Sequence, residues 1–265
     1  MNYNKHMRIV NMKESEYLYQ YTSLDTLAII LKEKNIKFSK LSFLDDPLEK
    51  YISSIYIPNN SINVGDFCFV SCWSKNKNES IAMWDMYGDR KKGVRIGLPA
   101  DMLDPNYVFN DYKNVSQHRL FECKEPIKKT PELINILYDR TSDPLIVDKE
   151  LNLDLDSLGR HKIKDWAFQE EYRFRIFAEY DERIKKNAYL FSSEQAYNNF
   201  SFGKTISESC LLYGVKPSVI SKIRIIIGPD MPKGQRYLLD SLIKDYGIDR
   251  RRVRKSKFTD PHKSF

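Results

Sequence analysis

The stretch "WAFQEEYRFRIF", residues Trp166 to Phe177, packs two adjacent carboxylates, two arginines and five aromatic rings into twelve positions. From Glu171 onward charged and apolar residues alternate, which is typical of a β-strand whose successive side chains point to opposite faces. On that interpretation the core face carries Tyr172, Phe174 and Ile176. The opposite face, which we expect to be open, carries Glu171, Arg173 and Arg175.

Glu171 then begins the strand, with Gln169 two positions before it and Glu170 turned away. A carboxylate at a strand edge beside a glutamine can hydrogen-bond a ribose hydroxyl and stabilise a positively charged sugar carbon. Arg173 is close enough on the same face to orient the carboxylate or to hold a phosphate. The alternative is that Glu171 and Arg173 simply pair across an exposed sheet face.

Working outward, short apolar runs alternate with helical patterns along most of the chain. "YLYQYTS" (Tyr17–Ser23) predicts a strand running into a helix capped by Ser23, and "DFCFVSCWS" (Asp66–Ser74) predicts a second strand. "KIRIIIGP" (Lys222–Pro229) predicts a buried strand ended by Gly-Pro, followed by a helix over about 233–246. We expect one α+β domain over residues 1–265, with a mixed or mostly antiparallel sheet and peripheral helices.

The middle of the chain is less regular. Thr130-Pro131 followed by apolar residues on one face predicts a helix through about Arg140. Residues 141–165 fit loop plus helix and are not resolved further by pattern. Phe191 to Phe202 mixes helical and loop features.

Composition narrows the classes of protein. A hydrophobic content of 42% supports a packed core, and no apolar run reaches membrane-spanning length. The first residues lack a hydrophobic signal region, so we expect a cytoplasmic protein. The scattered cysteines, with Cys68 and Cys72 on one face of a strand, are expected to be reduced thiols.

The net charge of +7, from 43 basic and 36 acidic residues, is a modest bias toward acidic partners. The densest basic patch predicts phosphate or nucleic-acid contacts, against the alternative of a solvated edge. Its basic residues are Arg250, Arg251, Arg252, Arg254 and Lys255.

Several chemistries are not indicated. The isolated histidines support no Ser-His-Asp or Cys-His arrangement, and there is no glycine-rich phosphate loop. Asp45, Asp46 and Glu49 lack the spacing of a calcium loop, so we predict no metal site.

Three stretches together resemble a bacterial family, domain-of-unknown-function family 2971. The first is an aromatic strand, a helix, a short strand and an Asp-Pro-x-Glu turn, with matches at Tyr19, Tyr21, Phe38, Ser39, Asp46, Pro47 and Glu49. The second is a serine-bearing strand end followed by Met-Trp-x-x-Tyr, with matches at Ser71, Ser74, Met83, Trp84, Tyr87, Gly93 and Val94. The third has matches at Trp166, Glu171 and Arg173. Gln20 replaces the family's basic residue and Gln169 its first glutamate.

The same features are similar to the ADP-ribosyltransferase superfamily: an aromatic first strand, serines at a strand end, and Gln169-Glu170-Glu171 in the place of Gln/Glu-x-Glu. The resemblance implies an ADP-ribosyltransferase-like fold, NAD as substrate and Glu171 as the catalytic glutamate. It also implies that Ser71 shapes the NAD pocket and that Gln20 or Tyr21 takes the first-strand position that holds the dinucleotide. The full set of residues that we expect at the nucleotide is Tyr19, Gln20, Tyr21, Ser71, Ser74, Trp84, Tyr87, Gln169 and Arg173.

Within this interpretation Trp84 and Tyr87 share a helix face and would stack on nicotinamide, although packing against the sheet is the alternative. The implied activity is NAD cleavage, with ADP-ribose passed to a macromolecular acceptor such as nucleic acid, or NAD hydrolysis. A toxin or phage-defence effector is the setting by analogy. The rival hypothesis is a nucleotide or nucleic-acid sensor of the same fold without catalysis. A nuclease-like activity is disfavoured because no histidine or metal-carboxylate set is clustered.

Overall fold

The computed structural model describes residues 16–46, 49, 54–57, 60–107, 131–139, 157–181, 187–191 and 208–260. Its strands are β1 (Tyr17–Thr22), β2 (Asn35–Lys40), β3 (Ser54–Ile57), β4 (Asn60–Asn63), β5 (Cys68–Ser74), β6 (Val94–Pro99), β7 (Glu132–Asn135), β8 (Glu171–Asp181), β9 (Asn187–Phe191), β10 (Cys210–Gly214), β11 (Arg224–Ile227) and β12 (Val253–Lys255). Its α-helices are α1 (Leu24–Glu33), α2 (Ile81–Tyr87), α3 (Pro217–Ile220) and α4 (Lys233–Asp245). Short 3₁₀ turns include Lys164–Gln169, which leads directly into β8.

The chain divides into two compact units. The first unit comprises Met1–Asn11, Lys37–Cys72 and Asp104–Tyr213, and the second comprises Met12–Ile36, Trp73–Leu103 and Gly214–Phe265. The expectation of one domain over 1–265 stays a prediction.

The first unit is organised around β8, which pairs with β5, β7 and β9. β7 runs antiparallel to the start of β8, with Glu132 opposite Arg175 and Ile134 opposite Arg173. β9 runs antiparallel to its end. On β5 the ladder continues to β2 and then β10, and β3 and β4 form a separate antiparallel pair. The first residues of β8 are therefore paired with β7 and lie inside the sheet of this unit.

The second unit is built on β1 and β6, which pair antiparallel along their whole length. β11 adds antiparallel to β6, and β12 adds parallel to β11. Every residue of Val94–Pro99 is buried, and the isoleucines of β11 are buried too, as their unbroken apolar run predicts. The helices α1 and α4 pack against each other in this unit.

The first helix begins where its sequence predicts. The Ser23 hydroxyl accepts a hydrogen bond from the Thr26 backbone N–H, which satisfies one of the unpaired donors of the first turn. Leu24, Leu27 and Leu31 are buried at helical spacing, and Lys34 ends the helix in a left-handed conformation.

The α+β class and the mostly antiparallel pairing are confirmed. The helix predicted over 131–140 is wrong: residues Glu132–Asn135 form β7 instead. Leu133 and Ile134 are too short an apolar run for periodicity to decide, and pairing with the edge of β8 favours the extended form. The β3–β4 pair was not predicted. Phe191 ends β9, and the rest of the predicted 191–202 segment lies outside the described residues.

None of the helices within the described ranges combines the length and the apolar run that crossing a bilayer requires.

Candidate functional site

The start of β8 carries a row of buried charged side chains. Glu171, Arg173 and Arg175 share one strand face, as alternation predicts, but they are 5%, 0% and 1% exposed. The expectation that this face is open is wrong, because Glu49, residues 136–138 and the turn at Ser157–Arg160 cover it with hydrogen-bonding groups. Phe174 and Ile176 are buried on the other face as predicted, and Tyr172 is half-buried. Both faces of this strand are therefore internal.

Glu171 is held at both carboxylate oxygens by cations. Its Oε1 accepts from Arg173 Nε at 2.5 Å, and its Oε2 accepts from Lys162 Nζ at 2.6 Å. Lys162 also donates to the Gln169 side-chain oxygen at 2.9 Å. The backbone N–H of Glu171 donates to the Tyr138 hydroxyl at 2.7 Å. Each carboxylate oxygen of Glu171 is thus fixed by one charged hydrogen bond.

Arg173 joins Glu171 to a second carboxylate. Its Nη1 lies 2.5 Å from Glu49 Oε1 and its Nη2 lies 3.0 Å from Glu49 Oε2. This bidentate geometry is the one that a guanidinium favours with a carboxylate. Lys162 Nζ also lies 3.9 Å from Glu49 Oε2. Two carboxylates and two cations close into one buried group, so their formal charges balance. We call Glu49, Lys162, Gln169, Glu171 and Arg173 the Glu171 cluster.

The turn at Ser157–Arg160 supports this cluster. The carbonyl of Gly159 accepts from Arg173 Nη1 at 2.9 Å, and that of Leu158 accepts from Arg175 Nη1 at 2.6 Å. Gly159 has φ +70°, a left-handed conformation that glycine adopts without strain. Arg175 also contacts Glu132 on β7 at 3.0 Å. The buried arginines therefore fix the turn from which the chain proceeds to Lys162.

The cluster controls the protonation of Glu171. Burial alone would raise the pKa of its carboxyl, but the charges of Arg173 and Lys162 and their hydrogen bonds lower it from 4.5 to about 2. The pKa of Arg173 is held well above its ordinary value, since the opposing effects of Glu171 and Glu49 exceed the cost of burial. Glu171 is consequently an anion throughout the neutral range.

A thiol borders the cluster. Cys72 on β5 is half-buried, and burial together with the neighbouring Glu171, to which it is hydrogen-bonded, raises the pKa of the thiol well above its ordinary value. Burial likewise raises the pKa of Cys68 to about 12. Within the described part of the chain Cys68, Cys72 and Cys210 are not joined in disulfides, as predicted, and Cys123 lies outside it.

In the second unit, Tyr19 and Tyr21 of β1 flank a buried arginine that sequence reasoning missed. The Arg95 guanidinium lies 4.1 Å from the centroid of the Tyr19 ring and 5.4 Å from that of Tyr21. It donates to the carbonyls of Lys77, at 3.2 Å, and Asn76. Burial lowers its pKa below the ordinary value of an arginine. Arg95 lies opposite Tyr21 in the β1–β6 ladder.

Trp84 and Tyr87 pack against residues of the sheet, as the alternative to nicotinamide stacking predicts. Trp84 is 0% exposed, meets Tyr21 edge to face with ring centroids 4.9 Å apart, and donates from its indole N–H to Glu79 at 3.0 Å. Tyr87 packs at the side of this apolar group and is half-buried. The Glu79 carboxylate also accepts from the Ser256 hydroxyl at 2.5 Å. Stacking of nicotinamide on this helix stays a prediction, and the buried indole disfavours it.

The remaining predicted nucleotide residues fall in both units. Ser71 is buried on β5 in the first unit, and Ser74 lies in the second, where its hydroxyl accepts from the backbone N–H of Asn76 at 3.1 Å. Gln20 is half-buried on β1. Gln169, Glu171 and Arg173 are brought together in the first unit. Convergence of Gln20, Tyr21, Ser71 and Glu171 on one cleft stays a prediction.

The basic patch is partly neutralised by neighbouring acids. Arg250 contacts Asp240 at 2.5 Å and Arg251 contacts Asp249 at 2.8 Å. Arg252 donates to the Tyr17 hydroxyl at 3.4 Å. On β12 the exposed residues are Arg254 and Lys255.

Among the described residues, no group of three His, Cys, Asp or Glu side chains is arranged to hold a metal ion. Glu49, which matches the Asp-Pro-x-Glu segment of the family, is the partner of Arg173. Lys162 and Tyr138 gave no signal in the sequence, because their roles depend on a turn and on a strand predicted as a helix. Glu170, in contrast, is exposed at a left-handed position outside the cluster, as its assignment as a bystander implies.

Residues 83–174 match the model of a family described as "Protein of unknown function (DUF2971)", which supports the resemblance stated above for this part of the chain. The match includes Trp84 and Tyr87 and ends just after Glu171 and Arg173. Comparisons with curated proteins and with solved structures give no match.

Proposed function

We propose that the protein is an ADP-ribosyltransferase-like enzyme that cleaves NAD and transfers ADP-ribose to a macromolecular acceptor, with Glu171 as the catalytic carboxylate. The observation that supports this most directly is a permanently ionised carboxylate held in place by Arg173 and Lys162. A buried ion group is no better for stability than well-packed apolar residues of similar volume, so its presence here favours a chemical role.

The chemistry of the carboxylate suits glycosidic cleavage. Because the pKa of Glu171 is about 2, it is a weak proton acceptor near neutral pH and acts instead as a fixed negative charge. The bond from ribose C1 to the nicotinamide nitrogen breaks, and both electrons leave with nicotinamide. The sugar carbon becomes cationic and is stabilised by Glu171. An acceptor hydroxyl or amine then bonds to C1 and releases its proton to solvent; with water as acceptor the reaction is NAD hydrolysis.

Nucleic acid is the proposed acceptor, since Arg254 and Lys255 are exposed on β12 and the net charge is +7. A cytoplasmic toxin or phage-defence role remains the proposed setting by analogy.

The test is incubation of purified protein with NAD and with RNA or DNA, measuring released nicotinamide and acceptor-bound label. Glu171→Gln should lower turnover by roughly 100-fold or more, the usual effect of losing one transition-state electrostatic partner. Glu170→Gln is the matched control, since its exposed carboxylate lies outside the cluster and its turnover should stay unchanged. Absence of turnover, or equal turnover by both variants with native circular dichroism, contradicts the proposal.

A second candidate is a nucleotide sensor of the same fold without catalysis. It is favoured by the pairing of both Glu171 oxygens with cations, which leaves the carboxylate neutralised before any substrate arrives. Stabilisation of the protein by NAD or AMP in a thermal-shift assay, with no nicotinamide released, would select this candidate.

A further inference from the structure

The 3₁₀ turn Lys164–Gln169 carries two aromatic rings, Trp166 and Phe168, beside the Glu171 cluster. Phe168 is 39% exposed and Trp166 is half-buried. Their ring centroids lie 6.0 Å apart with 38° between the ring planes. Large aromatic rings at a surface commonly mark a place where another molecule binds. Here they stand immediately before Glu171 in the chain.

A single lysine connects these rings to the cluster. Lys162 Nζ lies 5.6 Å from the centroid of the Trp166 ring and 2.6 Å from Glu171 Oε2. Gln169, the last residue of the same turn, accepts from that ammonium at 2.9 Å. Lys162 thus contacts both the Trp166 indole and the Glu171 carboxylate, and Trp166 lies at the edge of the cluster.

We propose that Trp166, with Phe168 beside it, is the surface on which the planar heteroaromatic ring of the nucleotide stacks. The assignment rests on the proposed function, because it takes the ligand to be the nucleotide whose ribose meets Glu171. It moves the stacking role from Trp84, which is fully buried in the second unit, to an indole that solvent reaches. Indole also suits a cationic ring such as nicotinamide, since its face attracts positive charge more strongly than that of tyrosine or phenylalanine.

Quenching of tryptophan fluorescence by acrylamide reports mainly on Trp166, because the quencher must reach the ring. The chain has three tryptophans, and Trp73 and Trp84 are 2% and 0% exposed. We expect NAD and nicotinamide mononucleotide to quench the emission saturably and to protect it from acrylamide, while ribose 5-phosphate does neither. Trp166→Phe should abolish the saturable quenching, and Trp166→Ala should weaken NAD binding in calorimetry by roughly 5- to 100-fold, the range for losing one base-stacking contact. Phe168→Ala should weaken it by a smaller factor.

Phe258→Ala is the matched control, because Phe258 is 36% exposed but belongs to the second unit. Its NAD affinity should equal that of the unchanged protein. Quenching by AMP but not by nicotinamide mononucleotide would keep the stacking surface and assign it to the adenine ring. Circular dichroism of each variant separates loss of binding from loss of fold.

Two results overturn the inference: no saturable change of Trp166 emission with any of these nucleotides, or full NAD affinity in a folded Trp166→Ala variant. If nicotinamide release depends on Glu171 but NAD leaves Trp166 emission unchanged, stacking on Trp166 is wrong and the proposed function is supported. If NAD quenches Trp166 emission saturably but no nicotinamide is released, stacking on Trp166 is supported and the proposed enzymatic activity is wrong.

Discussion

Arg173 and Glu49 lie 124 positions apart in the chain and form a buried, bidentate ion pair in the first unit. The pair ties Glu49, which follows β2 in the chain, to the second charged position of β8. Arg173 also binds Glu171, so the orientation of the proposed catalytic carboxylate depends on a residue from a distant part of the sequence. In the proposed mechanism Glu49 is therefore a positioning residue that acts through Arg173.

Replacing Glu49 by glutamine should reduce the free energy of unfolding by about 3 to 5 kcal/mol, because it leaves the Arg173 guanidinium buried with less compensating charge. Urea unfolding followed by circular dichroism measures this. Glu33→Gln, at the exposed end of α1, should change the free energy by less than about 0.5 kcal/mol. Equal midpoints for the two variants would show that the pair adds nothing to stability.

The pH dependence of stability should carry a contribution from Glu171. Its pKa is lowered from 4.5 to about 2 in the folded protein, so the native state holds the proton less tightly than the unfolded chain. The stabilisation is then complete above pH 4.5 and is lost as the pH falls toward 2. Urea unfolding measured between pH 6 and 2 should give a steeper decline for the unchanged protein than for Glu171→Gln. Parallel curves would count against the lowered pKa.

The alternation in "EYRFRIF" was sufficient to place Glu171 and Arg173 on one face of a strand and Phe174 on the other. It was not sufficient to say that both faces are buried, because alternation shows which side chains share a face and not what covers it. The covering groups, Glu49 and the turn around Gly159, come from segments whose approach depends on tertiary packing.

The apolar run of β11 was predictable, because a strand that is buried on both faces is continuously hydrophobic. The role of Arg95 was not, since a single arginine inside "KGVRIGL" has no periodic signature. The ladder that sets it opposite Tyr21 provides the information that the local sequence lacks. Likewise, Leu133-Ile134 fitted a helix or a strand equally well until β8 supplied a partner edge.

Two glycine-to-alanine substitutions should act in opposite directions. Gly159→Ala should destabilise by about 1 to 2 kcal/mol, because φ is +70° there and an added Cβ would approach Leu41 at 3.3 Å. Gly234→Ala, in α4 with nothing within 4 Å of the added Cβ, should stabilise by about 0.4 to 1 kcal/mol by reducing the freedom of the unfolded chain. Thermal unfolding followed by circular dichroism gives both signs. Stabilisation by Gly159→Ala would contradict the left-handed conformation at that position, and destabilisation by Gly234→Ala would contradict the open space there.

Arg95→Lys should cost about 2 to 3 kcal/mol although it preserves the charge, since an ammonium cannot reproduce the planar contact with Tyr19 and the paired donation to the Asn76 and Lys77 carbonyls. Arg224→Lys is the matched control. Its guanidinium also stacks on a tyrosine, 3.7 Å from the centroid of the Tyr17 ring, but it is exposed, so the loss should stay below about 1 kcal/mol. Urea unfolding of both variants measures the difference. Equal losses would mean that burial and the carbonyl contacts of Arg95 contribute nothing beyond stacking.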